Sequence, residues 1–225
     1  MSSDSGFSGF VELPPEISHV DWSHEPEFVS IIGEIDSEMA TDVCLTIEKL
    51  DRTPGPNILI KISSPGGCTY SALRIVDTIK ACKKRVVTMA EGMAFSGGAI
   101  IFVAGESRVV TPNTSIMFHN VASTVDVRTV TEAQIDLVES KRLRNRMLEM
   151  LHSTVTADGY DRVQKGFDKN IDIYLSASEA LRYGVATACG VVRLRTKVSV
   201  KYSLTLDEQP PAKDRARKRR RVQGN

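Results

Sequence analysis

The residues best suited to chemistry lie in the segment Gly92-Met-Ala-Phe-Ser-Gly-Gly98, where a serine stands among small residues. The pattern predicts a strand that gives way to a helix at Ser96. A helix start leaves free backbone N–H groups, and small neighbours leave the hydroxyl accessible, so Ser96 Oγ could act as a nucleophile. A plain glycine-rich turn fits the same residues. The chemistry therefore needs a base, an orienting acid and a second oxyanion donor from elsewhere in the chain.

His119 is the candidate base, because it ends the apolar strand predicted for Ser115-Ile-Met-Phe-His119. In parallel α/β folds, reactive groups gather at the C-terminal ends of strands, so His119 and Ser96 could converge there. The other three histidines lie in an acidic N-terminal stretch or near the end of a predicted helix. A histidine with a purely structural role is the alternative reading of this position.

The segment Ser63-Ser-Pro-Gly-Gly67 is the candidate for a second oxyanion donor, since it follows another predicted strand. Proline fixes the direction of the chain, and two glycines let backbone N–H groups approach a substrate closely. Pro-Gly-Gly is also a general turn signal, so a turn without a catalytic role remains open.

Composition limits the class of protein. A chain of 225 residues with 41% apolar content can bury one good core without disulfides. The four cysteines show no C-x-x-C spacing, which argues against a zinc site and a disulfide framework and favours a reducing cytosol. The N-terminus lacks the pattern of a signal peptide, and no apolar run has the length of a membrane span. We therefore expect a soluble protein that is not secreted.

Charge is concentrated at the two ends of the chain. Residues 1–27 contain six acidic residues and no Lys or Arg, and residues 212–225 contain seven Lys and Arg. Outside the basic end, 22 basic and 27 acidic residues give a net charge of −5, which is not typical of a nucleic-acid-binding domain. We expect residues 1–27 to be a flexible acidic tail and residues 207–225 a disordered basic tail. Only the basic tail offers a contact for nucleic acid or an acidic partner.

The apolar pattern between the tails alternates strand and helix, which predicts an α/β fold with a mostly parallel sheet covered on both faces. The predicted strands are 28–32, 58–62, 85–90, 107–110, 115–119 and 196–204. The first predicted helix is capped by Asp36 or Ser37, and the next three are 70–83, 96–104 and 131–152. Two shorter helices follow, and the last begins with the capping box Ser176-Ala-Ser-Glu179.

Five groups of residues stand in a characteristic order along the chain. They are Ile62-Ser-Ser-Pro-Gly-Gly67, Asp77-Thr-Ile79, Gly92-Met-Ala-Phe-Ser-Gly-Gly-Ala99, Met117-Phe-His119, and Tyr174-Leu-Ser-Ala-Ser-Glu-Ala180 with Tyr183-Gly184. In order and spacing they resemble the ClpP family, the peptidases of the bacterial Clp system. The resemblance spans about residues 28–192 and implies a peptidase domain over 28–206, with a protruding handle at about 120–155.

The resemblance also implies roles for single residues. Ser96 takes the position of the family's nucleophile, His119 that of the base, and Asp172 that of the triad acid. The backbone N–H groups of Gly67 and Gly97 take the positions of the oxyanion donors. The implied activity is that of a serine endopeptidase with no metal and no cofactor in this chain.

Architecture and partners follow from the same resemblance. The family's fold is crotonase-like, and its handles interlock two heptameric rings around a chamber in which unfolded polypeptides are cleaved. A separate AAA+ unfoldase uses ATP to deliver these substrates. The implied location is the cytosol of a bacterium or of an infected cell.

Two departures from the family pattern bear on assembly. Asn170-Ile171 stands where the family commonly has an Asp-Arg pair that joins the rings, and Leu59 and Lys61 stand where aromatic residues commonly line the unfoldase-docking pocket. The sequence therefore predicts a divergent member with altered ring pairing and docking. Three alternatives stay open: a phage or viral protease that matures capsid or scaffold proteins, a non-catalytic ring subunit, and a crotonase-fold acyl-CoA enzyme.

Overall fold

A seven-stranded sheet and six helices form the part of the chain that the computed structural model describes, residues 28–54, 57–121 and 129–191. The strands are β1 (Phe28–Ile35), β2 (Asn57–Gly67), β3 (Arg85–Phe95), β4 (Ser107–Val110), β5 (Ser115–Phe118), β6 (Ile173–Ser176) and β7 (Ala188–Cys189). The helices are α1 (Ser37–Arg52), α2 (Thr69–Ala81), α3 (Gly97–Ala104), α4 (Val130–His152), α5 (Ala157–Lys169) and α6 (Ala177–Arg182).

The sheet is parallel along its main path, in the order β1-β2-β3-β4-β7. The short strand β5 branches from this path, because it pairs in parallel with the C-terminal part of β3 and antiparallel with β6. The prediction of a mostly parallel α/β fold is confirmed. The branch matters for chemistry, since it brings the ends of β3, β5 and β6 to one place.

Helix α3 lies at the centre of the core, and all eight of its residues are buried. Such a helix has no polar face, so its position is fixed by close packing on every side. Helix α2 packs against it, and helix α1 packs against α2, through apolar faces that agree with the predicted periodicity. The predicted cap Asp36 accepts a hydrogen bond from Met39 N–H at 2.8 Å. The helix that follows Ser96 therefore rests on a rigid base.

Helix α4 packs only through its C-terminal half, where Leu143, Met147, Leu148 and Leu151 are buried. The sequence predicts Ile135 and Val138 as apolar positions of the same helix, but they are 64% and 68% exposed. The reason is that the N-terminal half of α4 lies away from the core. One contact between this half of α4 and the rest of the protein is a hydrogen bond of 2.6 Å from Tyr70 Oη to Glu139. Hydrogen bonds from Arg142 and then Tyr70 lower the pKa of Glu139 to about 2.

Several elements differ from the sequence-based expectation or fall outside the described residues. Strands β2 and β3 extend five residues beyond their predicted ends, at Gly67 and Phe95, and β6 and β7 were not predicted as strands. Four predictions concern residues outside those described: the acidic tail 1–27, the handle over residues 122–128, the strand 196–204 and the basic tail 207–225. In the described ranges, no helix combines the length and the apolar character needed to cross a membrane.

Candidate active site

Ser96 stands between β3 and α3 in a backbone conformation that side-chain-bearing residues rarely adopt, with φ 53° and ψ −118°. Such a conformation costs about 1–3 kcal/mol and persists only where surrounding contacts enforce it. One of these contacts is the hydrogen bond from Ser96 N–H to the Met117 carbonyl at 2.8 Å. The serine is half-buried, so its hydroxyl is held at the surface by a rigid turn.

His119 is the partner of this hydroxyl. Its Nε2 lies 2.7 Å from Ser96 Oγ, a hydrogen-bond distance. The sheet explains the approach, because Phe95 and Met117 are paired in the β3–β5 ladder, so Ser96 and His119 both follow the ends of adjacent parallel strands. The structure therefore brings together the two residues that the sequence predicts as nucleophile and base.

The Pro-Gly-Gly turn packs directly against Ser96. A Cβ placed on Gly66 would lie 2.7 Å from Ser96 Cβ and 3.1 Å from Gly97 N, so only glycine fits. Gly67 has φ 149°, and a Cβ there would lie 2.3 Å from the Ile35 carbonyl oxygen. A Cβ on Gly97 would lie 3.8 Å from Gly67 N. The two predicted oxyanion donors, Gly67 and Gly97, therefore lie close to each other beside Ser96.

Asp172 is close to His119 in the sheet but makes no hydrogen bond with it. Asp172 precedes β6 and is exposed. The β5–β6 ladder ends at the pair Phe118 and Ile173, and continuing its antiparallel register by one residue sets His119 opposite Asp172. Side chains at opposite positions of a ladder have Cβ atoms about 4.5–5.5 Å apart, so a carboxylate there is within reach of an imidazole after a small adjustment.

Two residues beside the site were not singled out from the sequence. Phe95 and Tyr174 form an edge-to-face pair with ring centroids 5.7 Å apart. Phe95 directly precedes Ser96, and Tyr174 lies two residues beyond Asp172, so the pair joins the strand of the nucleophile to the strand of the candidate acid. No local pattern in the sequence marks this contact, since 78 positions separate the two residues.

Cys68 follows the Gly67 turn and is exposed. Hydrogen bonds from the side chain and then the backbone of Ser71 lower the pKa of its thiol. A second cysteine, Cys82, has the opposite character, because burial raises its pKa to about 11. No group of three or more His, Cys, Asp or Glu side chains that could hold a metal ion occurs among the residues described.

The residues at the two departures from the family pattern, Asn170-Ile171 and the pair Leu59 and Lys61, have the following surroundings in the structure. Asn170 ends α5 in the left-handed conformation, with φ 54°, and its side chain accepts a hydrogen bond from Asn120 at 3.1 Å. Ile171 is 54% exposed. On β2, Leu59 is buried, whereas Lys61 lies 3.8 Å from Glu91 and above the Phe28 ring at 4.8 Å.

Comparison with known proteins agrees with this geometry. A model of the family described as Clp protease matches residues 22–192, which is most of the chain. The chain belongs to the Clp protease family.

Curated relatives include ATP-dependent Clp protease proteolytic subunit 2 of Prochlorococcus marinus, which is 36% identical over 130 residues, 57% of this chain and 63% of the relative. Proteolytic subunit 3 of Parasynechococcus marenigrum is 35% identical over 130 residues, 57% of this chain and 64% of the relative. The chain thus spans less than two thirds of the length of these relatives.

Among solved structures, an Asn-to-Asp mutant of ClpP1 from Listeria monocytogenes superposes with a TM-score of 0.64 and 32% identity. The superposition covers 74% of this chain and 92% of that one. The predicted ClpP-like fold is therefore confirmed.

Proposed function

We propose that this chain is a serine endopeptidase of the Clp type that hydrolyses unfolded polypeptides. The observation that carries the proposal is the 2.7 Å contact between Ser96 Oγ and His119 Nε2, made by a serine held at φ 53°. A nucleophile within hydrogen-bond distance of a base is the arrangement that acyl transfer by a serine requires. Membership of the Clp protease family supports the same reaction.

The first half of the reaction forms an acyl-enzyme. Ser96 Oγ attacks the carbonyl carbon of the scissile peptide bond, and its proton passes to His119 Nε2. The carbonyl oxygen becomes an oxyanion that the N–H groups of Gly67 and Gly97 stabilise. The C–N bond then breaks as His119 gives the proton to the leaving amine, and an ester to Ser96 remains.

Water completes the cycle. His119 takes a proton from a water molecule, whose oxygen attacks the ester carbonyl carbon, and the same two glycine N–H groups stabilise the second oxyanion. The C–O bond to Ser96 breaks, His119 returns the proton to Ser96 Oγ, and the carboxylic acid product leaves. Asp172 has the role of holding the Nδ1–H tautomer of His119 and stabilising its cation, which requires the carboxylate to turn towards the ring.

The assembly belongs to the same proposal. Enclosure keeps an accessible, activated serine away from folded cytosolic proteins, and the family's rings provide such a chamber. The protruding half of α4 exposes Val130, Ile135, Leu137 and Val138, which is consistent with burial against a second copy. A separate ATP-dependent unfoldase would supply the substrates, so the chain itself needs no cofactor. The proposed location is the cytosol.

The test combines covalent labelling with peptide cleavage. The purified full chain is treated with a fluorophosphonate probe and assayed with fluorogenic peptide amides, beside Ser96→Ala and His119→Gln. We expect labelling of wild type only, and a loss of cleavage of about 10³-fold or more in both variants. Light scattering on the same preparation measures the size of the particle.

Each outcome separates the alternatives. Cleavage by Ser96→Ala at the wild-type rate would overturn the serine mechanism. A wild type that is neither labelled nor able to cleave peptides would favour a crotonase-type enzyme, which needs only the oxyanion donors. A ring that binds polypeptides without labelling would identify a non-catalytic subunit. A stable monomer would overturn the chamber while leaving the chemistry intact.

A further inference from the structure

Ser64 is a fully buried polar residue at the end of β2, where the regular sheet gives way to the Pro-Gly-Gly turn. The register shifts on both sides of β2 at this point. Against β1 it moves from the pair Ile32 and Ser63 to the pair Glu34 and Gly66, and against β3 there is a second shift beside Ser64. Ladder hydrogen bonds are interrupted where a strand is irregular, so other groups must hold the backbone there.

The Ser64 hydroxyl makes two hydrogen bonds at this break. It donates to the Gly33 carbonyl at 2.6 Å and accepts from Gly66 N–H at 3.1 Å. Gly33 is the single β1 residue that faces the extra residue of β2 at this register shift, and its φ is 90°. The hydroxyl therefore ties the turn to the irregular position of the neighbouring strand, and a buried hydroxyl with both a donor and an acceptor partner has a fixed direction.

The same residue also contacts the helix that follows the nucleophile. A Cβ placed on Gly98 would lie 3.3 Å from Ser64 Cβ and 3.3 Å from the Ser64 carbonyl oxygen. Ser64 thus contacts both parts of the candidate oxyanion hole: the turn that carries Gly67 N–H and the helix start that carries Gly97 N–H. Neither Gly67 nor Gly97 has a side chain that could set its own orientation.

We propose that Ser64 is a positioning residue of the oxyanion hole, which fixes the direction of Gly67 N–H relative to Ser96 through the hydrogen bond to Gly66. This inference rests on the serine-peptidase function proposed above. Ser64 does not touch the substrate. Its effect falls on the transition state, because the oxyanion forms only after Ser96 attacks, whereas substrate binding before attack does not use the donor fully.

The test compares Ser64→Ala with a matched control, Thr88→Val. Thr88 is also fully buried, and its hydroxyl donates one hydrogen bond to the Phe102 carbonyl at 2.7 Å, within α3 and away from the turn. Loss of one oxyanion donor lowers kcat by about 10²–10³-fold, so a misdirected donor should lower it by about 10–100-fold. We expect that decrease in Ser64→Ala with KM within about twofold of wild type, and a kcat within about twofold of wild type in Thr88→Val.

Inhibitor binding separates a positioning role from a merely structural one, because only a positioning role changes the affinity for the aldehyde without changing that for the alcohol. The aldehyde acetyl-Leu-Leu-norleucinal forms a tetrahedral adduct with a serine, and the corresponding alcohol binds without an adduct. We expect Ser64→Ala to lower the affinity for the aldehyde by the same factor as it lowers kcat. The affinity for the alcohol should not change. Ser64→Cys, which keeps a weaker donor of similar size, should fall between Ala and wild type.

The possible failures are distinct. If wild type cleaves peptides and Ser96→Ala does not, while Ser64→Ala matches Thr88→Val in kcat and aldehyde affinity, the positioning role is wrong and the peptidase function stands. Equal losses of aldehyde and alcohol affinity in Ser64→Ala would also overturn it, because they indicate a general loss of structure. A wild type that neither cleaves peptides nor binds the aldehyde would overturn both proposals.

Discussion

Continuing the β5–β6 register one residue beyond its last pair sets His119 opposite Asp172, yet no hydrogen bond joins the two side chains. His119 instead contacts Ser96 through Nε2 and leaves Nδ1 for a second partner. The sheet thus sets the candidate acid beside the candidate base but does not by itself fix the orientation of the Asp172 carboxylate.

The first prediction concerns this acid. Asp172→Asn should lower kcat by about 10³–10⁴-fold, because an amide does not hold the imidazole in the same tautomer or stabilise its cation. Steady-state peptide cleavage measures the effect. The control is Asp158→Asn, a carboxylate in the first turn of α5. Equal activity of Asp172→Asn and wild type would show that Ser96 and His119 work as a dyad.

The second prediction concerns the close fit of Gly67. Gly67→Ala places a Cβ 2.3 Å from the Ile35 carbonyl oxygen, so the turn must move and displace the N–H donor. We expect kcat to fall by about 100-fold or more. Gly184→Ala is the control, since Gly184 also has a positive φ, 71°, and a Cβ there would lie 3.0 Å from Thr156 N. It should lose about 1–3 kcal/mol of unfolding free energy and keep its kcat. A Gly67→Ala variant with wild-type kcat would contradict the assignment.

The third prediction follows from the opposite pKa shifts of two cysteines. The thiolate is the reactive form, so Cys68, whose pKa is lowered, should react with iodoacetamide at a lower pH than a free cysteine. Cys82, with a pKa raised to about 11, should stay largely unmodified at neutral pH. Peptide mass spectrometry after timed alkylation between pH 6 and about 9 measures both rates. Cys68→Ser should remove the fast reaction, and faster modification of Cys82 than of Cys68 would refute the prediction.

The fourth prediction concerns a buried cation outside the site. Arg108 is 8% exposed, and its guanidinium donates to the carbonyls of Val185, Gly105 and Gly184 at 2.8, 3.1 and 3.0 Å. Arg108→Met leaves these acceptors without their donor, so the free energy of unfolding should fall by about 2–4 kcal/mol. Urea denaturation measures it.

The exposed Arg52 supplies the comparison for this change. Its side chain is 81% exposed and lies 4.0 Å from Glu48. Arg52→Met should change stability by less than about 1 kcal/mol, because exposed ion pairs contribute little. A similar loss in both variants would mean that the Arg108 contacts do not stabilise the fold.

Within the described residues, the order of the elements could be predicted from the sequence, because most strands and helices with a clear apolar period lie near their predicted places. The residues Ser96 and His119 were also predictable, since both directly follow apolar strands. Strands β6 and β7 were not predicted, and β7 is too short, at two residues, to show a period. Apolar periodicity predicts which face of a helix is apolar, but it does not predict whether that face is buried. Ile135 and Val138 belong to such a face and are exposed.

The sequence by itself determined the types of the candidate reacting groups and the glycines that allow a close approach. Only the tertiary structure decided how they are held. The Ser64 hydroxyl donates to the carbonyl of Gly33, which is 31 residues away, and the β5–β6 register sets Asp172 opposite His119 although more than 50 residues separate them. These relationships depend on the register between strands, and register is set by the packing of the whole sheet, which no local pattern contains.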